Sequence, residues 1–290
     1  MLDAGALEFE GDFGASSQIL VVGSTLVTTS DHAILFVECT LGANLTLLLL
    51  DNHIEGNRYA VYFFTGVVDG GGIIVKGNAL STTEEDEGVE SAVRVNGVAV
   101  RNGGYFDVEN NTMSAVSAIY LYGGTTVSSA GLLRVTDCTF IGATSVSTSA
   151  LLYLSGSVTL LGGAQLRVEG NNVSAASVLT IPYFQHKIQL SGSGTAVVFA
   201  HNGQVGSRVI FAKFLPSSIV VKRPARFVVG CNMHNDEEVS YDGLFPEEVV
   251  LFRCGTCNDD AACYMPGTEL VDRGPCLCSC KADGMARRVF

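Results

Sequence analysis

The sequence has no tryptophan, six prolines and five histidines in 290 residues, and only 16% of its side chains are charged. So few prolines beside 33 glycines, with Val, Thr, Ser, Leu and Ala prominent, favour many short strands joined by tight turns and leave little room for helices. Low charge with 47% hydrophobic residues excludes a disordered polymer, and the chain can bury a sizeable core. Basic residues are short as well: 17 Lys and Arg stand against 29 Asp and Glu, a net charge of −12. That charge repels phosphate backbones and anionic bilayers, so neither nucleic acid nor a lipid surface is expected as a partner. The one basic cluster, Lys222, Arg223 and Arg226, reads as a solvated turn.

Long hydrophobic runs are missing too. The most apolar window, 33–50, carries Glu38 and Asn44 and is interrupted by Gly42, which suits strands and not a membrane segment. The N-terminus lacks a positive region followed by an apolar stretch, so no signal peptide is readable. His32, His53, His186, His201 and His234 share no metal-ligand spacing, and none pairs with a Ser or Cys nucleophile in a recognisable motif. The Gly-Gly stretches lack the sequence context of a phosphate-binding loop. Neither a cofactor nor a metal is expected.

Cysteine, by contrast, is concentrated. Cys254, Cys257, Cys263, Cys276, Cys278 and Cys280 crowd into 27 residues with almost no apolar run, which predicts a small disulfide-rich module. Zinc is the rival reading, because Cys254-x-x-Cys257 has ligand spacing, but no His lies within the module. Cys39 and Cys138 sit apart and read as buried free thiols.

What the chain has in abundance is one phrase, repeated. Aligning the polar turns gives LLLLDNHI (Asn52), IIVKGNAL (Asn78), FDVENNTM (Asn111), LRVTDCTF (Cys138), LRVEGNNV (Asn172) and VVFAHNGQ (Asn202), with a mean step of 30 residues. Each turn is followed by another apolar run, such as YAVYFF, SAVRV, SAIYLY or SALLYL. A repeat of this size without helical period predicts an all-β, right-handed parallel β-helix. Asn suits the corner because it tolerates left-handed backbone and its amide can bond the Asn one coil away, so Asn52, Asn78, Asn111, Asn172 and Asn202 are expected to form a ladder. The expected organisation is repeats over 1–230, a final strand and linker over 231–253, the cysteine module at 254–280 and an unstructured tail at 281–290. A β-sandwich is the competing architecture, but it requires no repeated turn. The acidic run Glu84 to Glu87 reads as a solvated loop.

The segment EEVVLFRCGTCNDDAACYMPGTELVDRGPCLCSCKADG, together with EGNNVSAASVL and SGSGTAVVFAHN, resembles the dispersed gene family surface proteins of trypanosomes. The resemblance covers nearly the whole chain. It implies a large surface or secreted glycoprotein with β-helical repeats and a cysteine-rich module, and membrane-spanning segments in full-length members. It also implies adhesion to host extracellular matrix or glycans, and supplies no catalytic residues. The ends of this chain, including the tail KADGMARRVF, make a truncated family copy the expectation.

A β-helix also invites a carbohydrate-active reading, a polysaccharide lyase or glycosidase. The acids at matched repeat positions are Asp107 and Glu109 with Glu169 and Asp137; lying at or beside the turn, they are expected to be surface residues and the protein no enzyme. Asn44, Asn110 and Asn172 open glycosylation sequons, Asn44 and Asn110 being the better candidates because Asn172 is assigned to the ladder.

Overall fold

A chain of short apolar strands must change direction every few residues, and left-handed backbone does this here at regular intervals. Gly23, Asp51, Gly77, Asn110, Asp137, Gly170, His201 and Cys231 all have φ between 49 and 70°. Gly, Asn and Asp enter this region at the lowest steric cost, which accounts for six of the eight. The residue after each is Ser24, Asn52, Asn78, Asn111, Cys138, Asn171, Asn202 and Asn232, and from Asn52 onward all are buried. The corner is thus a two-residue device: one residue turns the chain and the next points its side chain inward.

The computed structural model of the chain describes residues 6–252 except 14–17, 84–89, 144–147, 176–177, 185, 207–208, 211–217, 236, 241–244 and 246. The cysteine module at 254–280, the tail and the acidic run at 84–87 therefore lie outside the described residues. Within them the protein is all-β, a parallel β-solenoid without α-helix. Three sheets run along it. A wide sheet has twelve strands, and two others have nine each. One nine-stranded sheet precedes the Asn corner and carries the charged residues discussed below; the other follows it. The last described strand, Val249–Phe252, stacks on Arg226–Gly230 in the charged sheet.

The wide sheet changes character along the axis. Strands His32–Leu41, Tyr59–Asp69 and Ser91–Arg101 are long and bend at Glu38, Thr65 and Gly97, which have φ of 49, 48 and 63°. In the next coil Gly123 and Gly124 break the strand into Ser117–Tyr122 and Thr125–Ser128. Ser91–Arg101 pairs with both pieces and is the rung where one strand becomes two.

Inside, side chains repeat in columns. Val75, Val108, Val135 and Val168 are in register on the inner face of the charged sheet, each at most 1% exposed. Phe9, Phe36 and Phe63 form a second column, with ring centroids 4.9 and 4.6 Å apart and planes within 6° of parallel. Strand spacing of about 4.8 Å fixes that separation, so stacking follows from the coil itself.

The asparagines join the coils. Asn111 Oδ1 accepts from the backbone N–H and from Nδ2 of Asn78, both at 2.9 Å, and its own Nδ2 donates to the Val75 carbonyl at 2.7 Å. Asn52 bonds to Asn78 in the same way. At the fifth corner the ladder residue is Asn171, not the expected Asn172. Asn171 receives the Cys138 N–H at 3.0 Å and passes its amide to Asn202 at 2.9 Å, and Asn202 passes its own to Asn232 at 2.8 Å. Gly170 takes the turning position there, which moves Asn172 one residue beyond the corner, where it pairs with Thr139 and faces outward, exposed.

Cys138 interrupts the ladder. Its sulfur is 3.9 Å from Asn111 Nδ2 and bonds carbonyls of its own and the preceding coil. Cys39 and Cys138 are both buried free thiols, each pushed up to about 11 by burial. Replacing Asn111 by Ala strips two buried donors of their acceptor and should lower unfolding free energy by about 3 kcal/mol in urea titration. Cys138→Asn should raise the unfolding free energy by about 1 kcal/mol, by supplying the missing carbonyl oxygen.

Candidate functional site

Residues on the outer faces of the sheets lie outside the main core, and two of these faces carry chemistry. On the charged sheet, register places Ile74, Asp107, Arg134 and Arg167 in one outward column, and Lys76, Glu109, Thr136 and Glu169 in the next. Alternating strand geometry puts i and i+2 on the same face, so Asp107 sits beside Glu109 and Arg167 beside Glu169.

The acids singled out from sequence are consequently ion-paired. Arg134 grips Asp107 with both Nε, at 2.9 Å, and Nη2, and its Nη2 is 4.0 Å from Glu109. Lys76 reaches Glu109 at 3.0 Å, and Arg167 Nε is 3.2 Å from Glu169. The hydrogen bond to Asp107 raises the Arg134 pKa, while burial lowers that of Arg167. Burial also pushes Glu169 up to about 7, against the opposing pull of Arg167. Asp137 stands apart from these columns as the left-handed corner residue.

The second face is the outer surface of the wide sheet. Its first column reads Leu35, Tyr62, Arg94, Tyr120 and Tyr153, one residue per coil. Its second reads Val37, Phe64, Asn96 and Tyr122. The runs YAVYFF, SAVRV, SAIYLY and SALLYL supply them by alternation: Ile119 and Leu121 go in, Tyr120 and Tyr122 go out.

Arg94 is the centre of this surface. Its guanidinium carbon lies 4.6 Å from the ring centroid of Tyr59 and 5.1 Å from those of Tyr62, Tyr120 and Tyr122. Each ring face is negative, so the four together solvate one cation, at roughly 0.5–2 kcal/mol per contact. Arg94 also donates to the Tyr59 hydroxyl, whose pKa is pushed up to about 12, by burial first, so it stays protonated. Around the centre, Tyr120 stacks on Tyr153 at 4.8 Å, and the Tyr120 hydroxyl bonds Ser155 at 2.9 Å.

Sequence reading missed this cluster, although every residue of it lay in a run noted as apolar. The signal was an Arg and an Asn at alternate positions of SAVRVN, in register with tyrosines. The three sequon residues, Asn44, Asn110 and Asn172, are all exposed. Among the described residues no group of three or more His, Cys, Asp or Glu is arranged to hold a metal ion.

These observations define a parallel β-solenoid bearing an outward ion ladder on one face and a tyrosine–arginine cluster on another. Residues 190–289 match the model of the family described as the DGF-1 N-terminal domain, consistent with a trypanosome dispersed gene family protein. No curated protein and no solved structure matches the chain.

The Glu169 shift makes a prediction about pH. A carboxyl raised in the folded state binds its proton more tightly there than in the unfolded chain, so its contribution to stability falls as pH rises from about 4.3 through about 7. In parallel urea titrations, Glu169→Gln should gain stability relative to the parent across that interval and hold the difference above it. A difference independent of pH would show that Glu169 titrates normally.

Proposed function

We propose that the chain is a non-catalytic adhesion or display protein of a trypanosome surface, binding host matrix or glycans through the outer face of the wide sheet. The observation that carries this reading is Arg94 held by four tyrosine rings on an outward face. A cation and large amphipathic rings concentrated on one sheet are the composition of binding hot spots, and they pack in clusters of their own apart from the main core. The family match at 190–289 supports a surface location. Exposed Asn44, Asn110 and Asn172 are the glycosylation sites of this reading, with Asn172 now as good a candidate as the other two. The cysteine module is then a disulfide-bonded cap suited to an oxidising exterior.

A second reading, a carbohydrate-active enzyme, draws on Glu169, a buried carboxyl near neutrality on the same face as Asp107. Against it, Asp107, Glu109 and Glu169 each have a cation within hydrogen-bond reach, which removes the open pair of carboxylates that glycoside cleavage needs. The chain, secreted from a eukaryotic host, should show saturable binding to a panel of matrix proteins and glycans, and should release neither reducing ends nor unsaturated uronides from polysaccharides. Release of either product replaces the adhesive reading with the enzymatic one.

A further inference from the structure

The outward column of the charged sheet that holds Asp107 and Arg134 is aliphatic at both ends. It starts with Leu20, Leu48 and Ile74 and finishes with Val198, Val228 and Val250, one residue per coil in register. The two ends differ in exposure. Leu20 is 57% exposed, and Leu48 and Ile74 are half-buried although each has a further coil on both sides. Val228, flanked in the same way by Val198 and Val250, is 0% exposed, as is Val198. Ala196 and Ala200, on either side of Val198 on this face, are also buried, and so are Arg167 and Glu169 one coil back. Coil stacking is the same at both ends, so it does not account for the difference. The far end of the column is covered from outside, where Ala196, Val198, Ala200, Val228 and Cys231 form a cluster separate from the main core.

The cover lies outside the described residues, and two observations identify it. Cys231, a member of the cluster, is disulfide-bonded, whereas Cys39 and Cys138 are free. The other cysteines of the chain are Cys254, Cys257, Cys263, Cys276, Cys278 and Cys280, so the partner of Cys231 is one of these. The chain also enters that segment directly from the covered face. Val249–Phe252 stacks on Arg226–Gly230, and Val250 packs against the cluster. The neighbouring stretches lead elsewhere: 211–217 joins two strands of the wide sheet, while Val239 and Phe245, on either side of 241–244, pack against the main core.

We propose that the cysteine module at 254–280 folds back over the outer face of the charged sheet, covers Val198, Val228 and the Arg167–Glu169 pair, and is fastened there through Cys231. A segment this small cannot build a sufficient core of its own, and a preformed aliphatic face gives Tyr264, Met265, Leu270 and Val271 somewhere to be buried. The module is then a further layer on the side of the solenoid and not a bead beyond its end. The burial that raises Glu169 is part of the same contact. The adhesive reading concerns the wide sheet, which this arrangement leaves open, so the two stand or fall separately.

The test uses the full oxidised chain. Trypsin, cutting after Arg226, Arg253, Arg273 and Lys281, releases Cys231 on a peptide of its own from the unreduced, thiol-blocked monomer. Mass spectrometry should find peptide 227–253 joined to 254–273 or to 274–281; a blocked, unjoined Cys231 overturns the proposal. Hydroxyl-radical labelling then tests the position. In the oxidised chain Leu20 and Leu48 should be labelled, and Val198 and Val228 protected. After reduction and alkylation, labelling of Val198 and Val228 should rise at least fivefold while inward Val168 stays protected; unchanged protection of the two valines overturns the proposal. If Val168 is labelled as well, Val198→Asp decides. In the unreduced chain it should speed tryptic cleavage at Arg273 at least tenfold, and Leu20→Asp, at the uncovered end of the column, should leave it unchanged. Equal cleavage rates in the two variants overturn the proposal.

Discussion

The structure depends on one hydrogen-bonding requirement: a corner that points a polar side chain into the core must find that side chain's partners in the next coil. An amide meets the requirement because it is both donor and acceptor, so each Asn takes protons from the coil before and gives its own to a carbonyl there. Leaving one unmade strands buried polar groups on two coils at once. Stability is consequently distributed along the axis as nearest-neighbour terms, and the faces between corners are free to vary. That freedom is where function enters, since the same stacking that aligns valines inside aligns charges on one outer face and tyrosines on another.

The repeat was legible because the corner chemistry is nearly constant while the rest drifts. It became ambiguous where that chemistry doubled. In EGNN the turning slot is taken by Gly170, so the ladder residue is the first Asn; counting from the end of the strand, Val168–Glu169, gives the register that counting polar residues does not. The corner ending in Asn232 was hidden because Cys231 occupies the left-handed slot, where glycine or asparagine is the usual signal.

The outer faces were harder to read for a different reason. Tyrosines at alternate positions of SAIYLY count as hydrophobic, and a strand apolar on both sides conceals the alternation that would reveal which ring goes out. Only register exposes it, by setting Arg94 and Asn96 beside tyrosines from neighbouring coils. The acids had the opposite history. Their pairing was readable in principle, since Asp107 and Arg134 occupy the same repeat position and Arg167 stands two residues before Glu169 on one face, and opposite charges so placed are an ion ladder and not an open groove.

The sulfur at Cys138 has a mechanical meaning. Amide-to-amide bonds run from Asn52 through Asn111 and again from Asn171 to Asn232, with a thiol between the two series. A solenoid stretched along its axis shares the load among its rungs, and a rung joined by a weak sulfur acceptor bears the least before parting. Tension would therefore open this solenoid first between the Asn111 and Cys138 coils, separating it into two segments, each with its own continuous amide ladder.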